Sequence, residues 1–263
     1  MFLFGLSQLP DINWADATIL FVVLHLLIYP ASNGYNSYID RDTTPIGGLE
    51  HPPLPGKNLF WVTLFMDVLA LVISFLLLNL TTGIMLLVYI LASRAYSSRQ
   101  VRLKKYPFIG FLTVFIFQGA WIFLTVIKSH DYSVDSSLIY ISLIASLLIG
   151  AMYPLTQIYQ HEADKKDSVT TLSMKLGIRG TFYFSVVMYL IAVLLMAKFC
   201  SRDEMMVFMI VNFPVVVYFL WWAYKCHIRP SAANFKNAYT MNIISGSCNA
   251  VCFFIFIYIH HFA

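Results

Sequence analysis

Two short stretches, Asn36-Ser-Tyr-Ile-Asp40 and Gln160-His-Glu-Ala-Asp164, set an amide and an aspartate four residues apart at the polar ends of long apolar segments. Residues four apart share a helix face, and residues eight apart nearly do. Asn36, Asp40 and Thr44 are therefore expected to stack along one helix, and Gln160, Asp164 and Ser168 along another. The shared pattern, amide-x-x-x-Asp-x-x-x-hydroxyl, predicts two similar halves of a single site. Mg²⁺ takes oxygen ligands, usually one or two carboxylates completed by phosphate oxygens and water. One aspartate from each helix, backed by amide carbonyls, could supply that. Simple solvation of a polar helix end competes with this for either stretch alone, but matched spacing on one side of a membrane favours a site.

Other polar residues give weaker signals. The run Arg99–Lys105 is basic enough to bind phosphate, although basic loops also fix orientation and touch anionic lipid. Asp67 sits about eight residues into an apolar segment, where an unpaired charge is expensive and a functional role is the default. Its two readings are an acceptor or proton site, and a structural group satisfied by Thr63 and Ser74. His25, Gln118, Asn212, Asn242 and Asn249 are expected to make interhelical hydrogen bonds. Cys200, Cys226, Cys248 and Cys252 read as packing residues, since no His or carboxylate follows at metal-ligand spacing.

The elements that must position these groups are membrane helices. The chain is 59% hydrophobic and 11% charged, with mean hydropathy +0.73, far from a soluble domain. Eight segments are apolar enough to span: 15–35, 59–79, 81–96, 108–127, 137–158, 182–200, 205–225 and 238–262. A tight turn at 79–83 joins the second to the third. None alternates with period two, which argues against a β-barrel and for an all-α multi-pass bundle of about eight spans. Without linkers or low-complexity stretches, residues 1–263 read as a single domain. The start, Met1-Phe-Leu-Phe-Gly, lacks the basic region and cleavage site of a signal peptide.

Of the 17 Lys and Arg, only Lys128, Lys198 and Arg202 fall outside one set of alternate loops. The positive-inside rule puts that set in the cytoplasm. The expected location is an integral membrane protein of a bacterial inner membrane, with its site facing the cytoplasm. The net charge of +4 is then topology rather than a nucleic-acid footprint. Loops 36–57, 94–106 and 159–181 share this face and are expected to converge over one cavity.

The run Asn33-Gly-Tyr-Asn-Ser-Tyr-Ile-Asp-Arg-Asp42 with Pro52-Pro-Leu-Pro-Gly56 resembles the first aspartate-rich motif of the UbiA family of intramembrane prenyltransferases. Tyr153-Pro-Leu-Thr-Gln-Ile-Tyr-Gln-His-Glu-Ala-Asp-Lys-Lys166, with Thr171-Leu172 and Gly177, resembles the second. Tyr96-Ser97 and Arg102-Leu-Lys104 are similar to the basic loop between them. Departures from the family pattern are Ser37 and Thr44 at carboxylate positions of the first motif and Gln160 at the first position of the second. Ser168 stands where Gly is frequent, and Pro52 where Arg commonly precedes Pro-Leu-Pro. Each lost carboxylate weakens the hold on Mg²⁺ without removing every oxygen ligand. Asp42 and Glu162 are candidates to compensate, although neither shares its neighbour's helix face. The first motif follows the first span, one helix earlier than the resemblance implies. A late or truncated start, or a remnant helix in Met1–Pro10, would account for that.

The resemblance implies transfer of a polyisoprenyl group from a prenyl diphosphate to an aromatic or lipophilic small-molecule acceptor. Asp40 and Asp164 would be the central pair, with Asn36 and Gln160 completing the Mg²⁺ ligands. Arg102, Lys104, Lys165 and Tyr96 would hold the diphosphate, and aromatic faces would stabilise an allylic cation. Membrane lipid is the surrounding partner; neither nucleic acid nor a protein partner is indicated. The alternative is a transporter or lipid-binding protein on the same scaffold, catalytically weakened by the departures. A phospholipid-type phosphotransferase is excluded because its Asp-Gly-x-x-Ala-Arg signature is absent.

Overall fold

The computed structural model describes residues 1–41 and 43–262. Asp42, a candidate compensating carboxylate, lies outside the described residues. The named elements among the described residues are all helices, as the composition predicts. In chain order the helices are α1 (Phe2–Ser7), α2 (Trp14–Asp40), α3 (Asn58–Leu77), α4 (Leu80–Ser97), α5 (Pro107–Ser129), α6 (Ser136–Lys166) and α7 (Leu172–Phe199). They are followed by α8 (Arg202–Val211), α9 (Phe213–Ile228) and α10 (Phe235–His261). Seven are long and apolar enough to cross a membrane. The expected span at 205–225 is the pair α8–α9, bent by 45° at Asn212, with Pro214 in the first turn of α9. The turn between α3 and α4 falls where the sequence places it.

Local sequence explains the helix starts. Asn13, Asn79, Asp135, Thr171 and Asn234 accept backbone N–H bonds at the beginnings of α2, α4, α6, α7 and α10. Ser201 and Glu204 form a reciprocal capping box on α8. π-helical turns at Val23–Ile28 and Phe115–Trp121 interrupt α2 and α5.

α6 is the central post, with 61% of its apolar window buried against 22–39% for the other spans. It packs so closely on α5 that a Cβ on Gly119 would stand 2.3 Å from the Ser146 Cα. Only glycine fits there. Gly177, with φ +68, kinks α7 just after the second motif, a conformation that favours glycine. On α3, Trp61, Phe65, Val68, Val72 and Leu76 form an exposed apolar stripe suited to lipid. α1 is buried, with Phe4 against Phe123, Phe253 and Phe256 of α5 and α10. This is where the structure places Met1–Pro10.

Two expectations are corrected. α2 ends at Asp40, where Arg41 turns left-handed with φ 53, so Thr44 does not continue the helical stack. A 3₁₀ turn at Ile158–Gln160 and the helix end at Lys166 likewise leave Ser168 (φ 56) outside the second stack. Within each helix the stack is limited to the amide–aspartate pair. The interhelical bonds expected of five polar residues are also absent among the described residues. His25, Asn212 and Asn249 bond within their own helices, and Gln118 and Asn242 face open space.

Candidate active site

The ends of α2, α4 and α6 meet at one face of the bundle, around a cavity of about 390 Å³. α2 contributes Asn33, Asn36, Ser37 and Asp40; α6 contributes Tyr153, Gln157, Gln160 and Asp164. The three loops converge as expected. Thr44–Leu49 forms a small turn held by reciprocal Ile46–Leu49 backbone bonds of 2.9 and 2.6 Å and lies along one side. The basic loop supplies Lys104, and Thr170 donates its N–H to the Lys105 carbonyl at 3.4 Å, tying the second loop to the first.

Asp40 is buried and ion-paired with Lys104, with Arg102 Nη2 3.9 Å from Oδ1. Lys104 Nζ also reaches Asn36 Oδ1 at 3.3 Å, and Ser97 Oγ donates to the same oxygen at 2.7 Å. Asn36, Asp40 and Lys104 thus form one connected unit from two motifs 64 residues apart. Arg102 is shared: it also pairs with Asp167, which accepts from Arg99 at 2.8 Å. Arg99 in turn donates to the Ile39 carbonyl at 3.2 Å. Burial would by itself raise the Asp167 carboxyl, but the bonds and charges of Arg99 and Arg102 outweigh it and hold the group below the ordinary carboxylate range.

Asp167 was missed in the sequence. It stands three residues beyond Asp164 and seven beyond Gln160, spacings that put it near the same helix face, and this was the available signal. Tyr153 was also missed as a site residue; its hydroxyl hydrogen-bonds that of Tyr96 at the inner end of the cavity. Two predicted residues stand apart. Lys165 is exposed and does not line the cavity. Asp67 pairs with Arg94 between α3 and α4 and does not line the cavity. Glu162, the other candidate compensating carboxylate, is exposed and outside the lining.

The donor set suits Mg²⁺. It is all oxygen, from the Asp40 and Asp164 carboxylates and the Asn36, Gln157 and Gln160 amides. Asp40 Oδ1 and Gln157 Oε1 are buried acceptors without a hydrogen-bond partner among the described residues. No three His, Cys, Asp or Glu among those residues could enclose an ion by themselves. The arrangement therefore fits a cation that brings phosphate oxygens and water as its remaining ligands.

Known proteins share this fold. A UbiA homologue from Archaeoglobus fulgidus, bound to GPP and Mg²⁺, superposes with TM-score 0.67 at 17% identity, covering 97% of this chain and 94% of that one. A digeranylgeranylglyceryl phosphate synthase gives TM-score 0.61 at 19% identity, over 97% and 89% of the two chains. A lycopene elongase/hydratase from Corynebacterium glutamicum is 25% identical over 200 residues, 74% of this chain and 68% of that protein. The family model described as the UbiA prenyltransferase family matches residues 1–246, and the chain belongs to that family.

Proposed function

We propose that this protein transfers an allylic prenyl group from a prenyl diphosphate to a lipophilic small-molecule acceptor within the membrane, at a site facing the cytoplasm. The observation that carries the reading is the pair of helix ends, Asn36/Asp40 and Gln160/Asp164, lining one cavity with Lys104. The donors carried in related structures, DMAPP and GPP, are short allylic diphosphates, which suits a cavity of about 390 Å³ lined by Lys104 and by the two amide–aspartate pairs.

Lys104 and Arg102 would turn from Asp40 toward the diphosphate, exchanging one charge-assisted contact for another. Asp40 and Asp164, with the Asn36 and Gln160 carbonyls, would hold Mg²⁺, whose charge would ease departure of pyrophosphate. The faces of Tyr96 and Tyr153 lie at the inner end, where positive charge would develop on the allylic carbon. The pairing of Asp40 with Lys104 supports a second reading, a lipid-binding or transport protein with weakened catalysis.

Purified protein in lipid nanodiscs, given labelled farnesyl diphosphate, Mg²⁺ and membrane lipid extract, separates the two. Transfer predicts pyrophosphate and a labelled nonpolar product. Asp40→Ala or Asp164→Ala should lower the rate about 100-fold, equivalent to about 2.7 kcal/mol. Unchanged turnover in both variants would defeat the enzymatic reading.

A further inference from the structure

A separate cavity of about 280 Å³ lies between α1, α2, α6 and α10, and none of its lining residues lines the motif cavity. Most of its wall is apolar, supplied by residues such as Phe2, Leu148, Met152 and Phe253. Its polar groups come from two helices: His25 on α2, and Asn242, Ser245 and Asn249 on α10. Ser245 and Asn249 are ten and fourteen residues into α10, about 15 and 21 Å along it at 1.5 Å per residue. That places them inside an apolar layer about 30 Å thick. No Lys, Arg, Asp or Glu is among the lining residues.

Two of these groups have hydrogen-bonding capacity that the protein leaves unused. The Phe21 carbonyl, which can only accept, lies 3.1 Å from His25 Nδ1. Nδ1 therefore carries the proton, and in the neutral ring Nε2 is a bare acceptor. Phe21 stacks on the imidazole with ring centres 4.3 Å apart, and Tyr29 meets it edge-on at 5.1 Å, so the ring is held in place. On α10, buried Ser245 accepts from Asn249 Nδ2 at 3.3 Å, while its own proton has no acceptor among the described residues. Unmet polar groups at this depth are costly. Gly246 is a different kind of signal. Glycine inside a helix lowers its stability, and at Gly119 a close helix contact requires it. A Cβ on Gly246 would meet nothing within 4 Å. It leaves open space beside Ser245 and serves no contact of its own.

These features define an occupant. It is neutral, since no Lys, Arg, Asp or Glu lines the space, and it is mostly hydrocarbon, since the wall is. It carries one small group that both donates and accepts, to match a bare Nε2 and a bare hydroxyl proton. Water meets only the last of these, and the exposed mouth at Asn242 and Gly246 belongs to a membrane-spanning helix. We propose that this cavity binds a long-chain lipid alcohol. Its hydroxyl donates to His25 Nε2 and accepts from Ser245 Oγ, and its chain runs past Phe253 and Gly246 into the bilayer. The site stands apart from the diphosphate chemistry and holds whether or not prenyl transfer does.

The test uses the full chain in nanodiscs with a photoreactive hexadecanol that carries a diazirine near its hydroxyl. After irradiation, peptide mapping should find the label on α10 within 242–253 and on α2 around His25. Excess hexadecanol should lower that labelling about tenfold, and excess hexadecane should not. Gly246→Leu, which fills the open space, and Ser245→Ala, which removes one oxygen, should each lower it at least threefold in protein that keeps its elution profile. Equal competition by hexadecane would make the cavity a plain hydrocarbon slot and overturn the proposal. Labelling that both variants leave unchanged, or that maps to other helices, would also overturn it. So would displacement of the label by geranyl diphosphate with Mg²⁺, which would put the alcohol in the motif cavity.

Discussion

Replacing Asp67 distinguishes a structural ion pair from a working acid inside the membrane. Arg94 Nε donates to Asp67 Oδ2 at 2.8 Å, and its Nη2 bonds the same oxygen. Nη1 donates to Thr63 Oγ1 at 3.2 Å, and the guanidinium carbon lies 4.1 Å from the centre of the Tyr35 ring. The Asp67 side chain is 8% exposed and that of Arg94 19%. Removing one member of such a pair strands a charge in a low-dielectric setting and costs about 3–5 kcal/mol. In Asp67→Asn the new amide still accepts a bond, and Tyr35 and Thr63 still hold the guanidinium. The expected loss is therefore at the lower end, about 3 kcal/mol. Arg94→Leu should cost more, because a carboxylate is left facing apolar side chains. Replacing both with leucine removes the stranded charge, so the double variant should be more stable than either single one. Equilibrium unfolding in mixed micelles with increasing SDS measures all four proteins, and adding Asp67→Leu completes the cycle that gives the coupling. Prenyl transfer by the folded fraction should stay within about threefold of the parent, about 0.7 kcal/mol of barrier. An Asp67→Asn protein as stable as the parent but inactive would refute this reasoning and make Asp67 the acceptor or proton site suggested by its place in the sequence.

Other consequences are more direct. Gly119→Ala puts a methyl against the Ser146 backbone and should destabilise by about 1–3 kcal/mol, measured by the same unfolding assay; a neutral result would mean α5 and α6 separate easily. Asp167 has its carboxyl held below the ordinary range near ~3.9. A lowered folded value gives stability that is present above the unfolded value and lost as pH falls through the folded one. The stability difference between parent and Asp167→Asn should thus be constant from neutral pH down to about 5 and vanish in stronger acid. Lys104→Ala removes a charge-assisted phosphate contact and should weaken donor binding about tenfold or more, by equilibrium binding of labelled donor. Gln160→Asp restores a carboxylate where the family has one and should lower the Mg²⁺ concentration for half-maximal turnover.

The bundle was legible because hydropathy and charge act along the whole chain. Span lengths, the 79–83 turn and the loop asymmetry follow from composition alone, and the amide–aspartate pairs follow from a four-residue helical repeat. What escaped depends on where the chain stops being helical. Thr44 and Ser168 fit the repeat, but left-handed residues at Arg41 and Ser168 end the helices first. Tyr153 meets the hydroxyl of Tyr96 on α4, 57 residues away, and no local pattern encodes that. Asp67 looked isolated because its partner lies on the antiparallel neighbour. Arg94 sits near the end of α4 and reads in sequence as one more loop cation, yet it folds back across Tyr35 to reach the acid.

The substitutions in the motifs make sense together with the cations around them. Ser37, Thr44 and Gln160 all line the cavity, so each replaced carboxylate would have stood in the same field. Three carboxylates remain around it, Asp40, Asp164 and Asp167, and Lys104, Arg102 and Arg99 are arranged on two of them. The local charge is then close to balanced before any ligand enters. An incoming diphosphate meets cations that can move from a carboxylate to a phosphate at small net cost, because each ion pair given up is replaced by one of the same kind. A fully acidic cavity would instead repel the anion until bound metal reversed its charge. On the prenyltransferase reading, the basic loop would then carry more of the anion binding, and the demand on metal charge would be smaller. Asp167 has its part in that balance: by holding Arg99 and Arg102 between the two motifs, it keeps the guanidinium groups at the cavity edge where a phosphate would claim them.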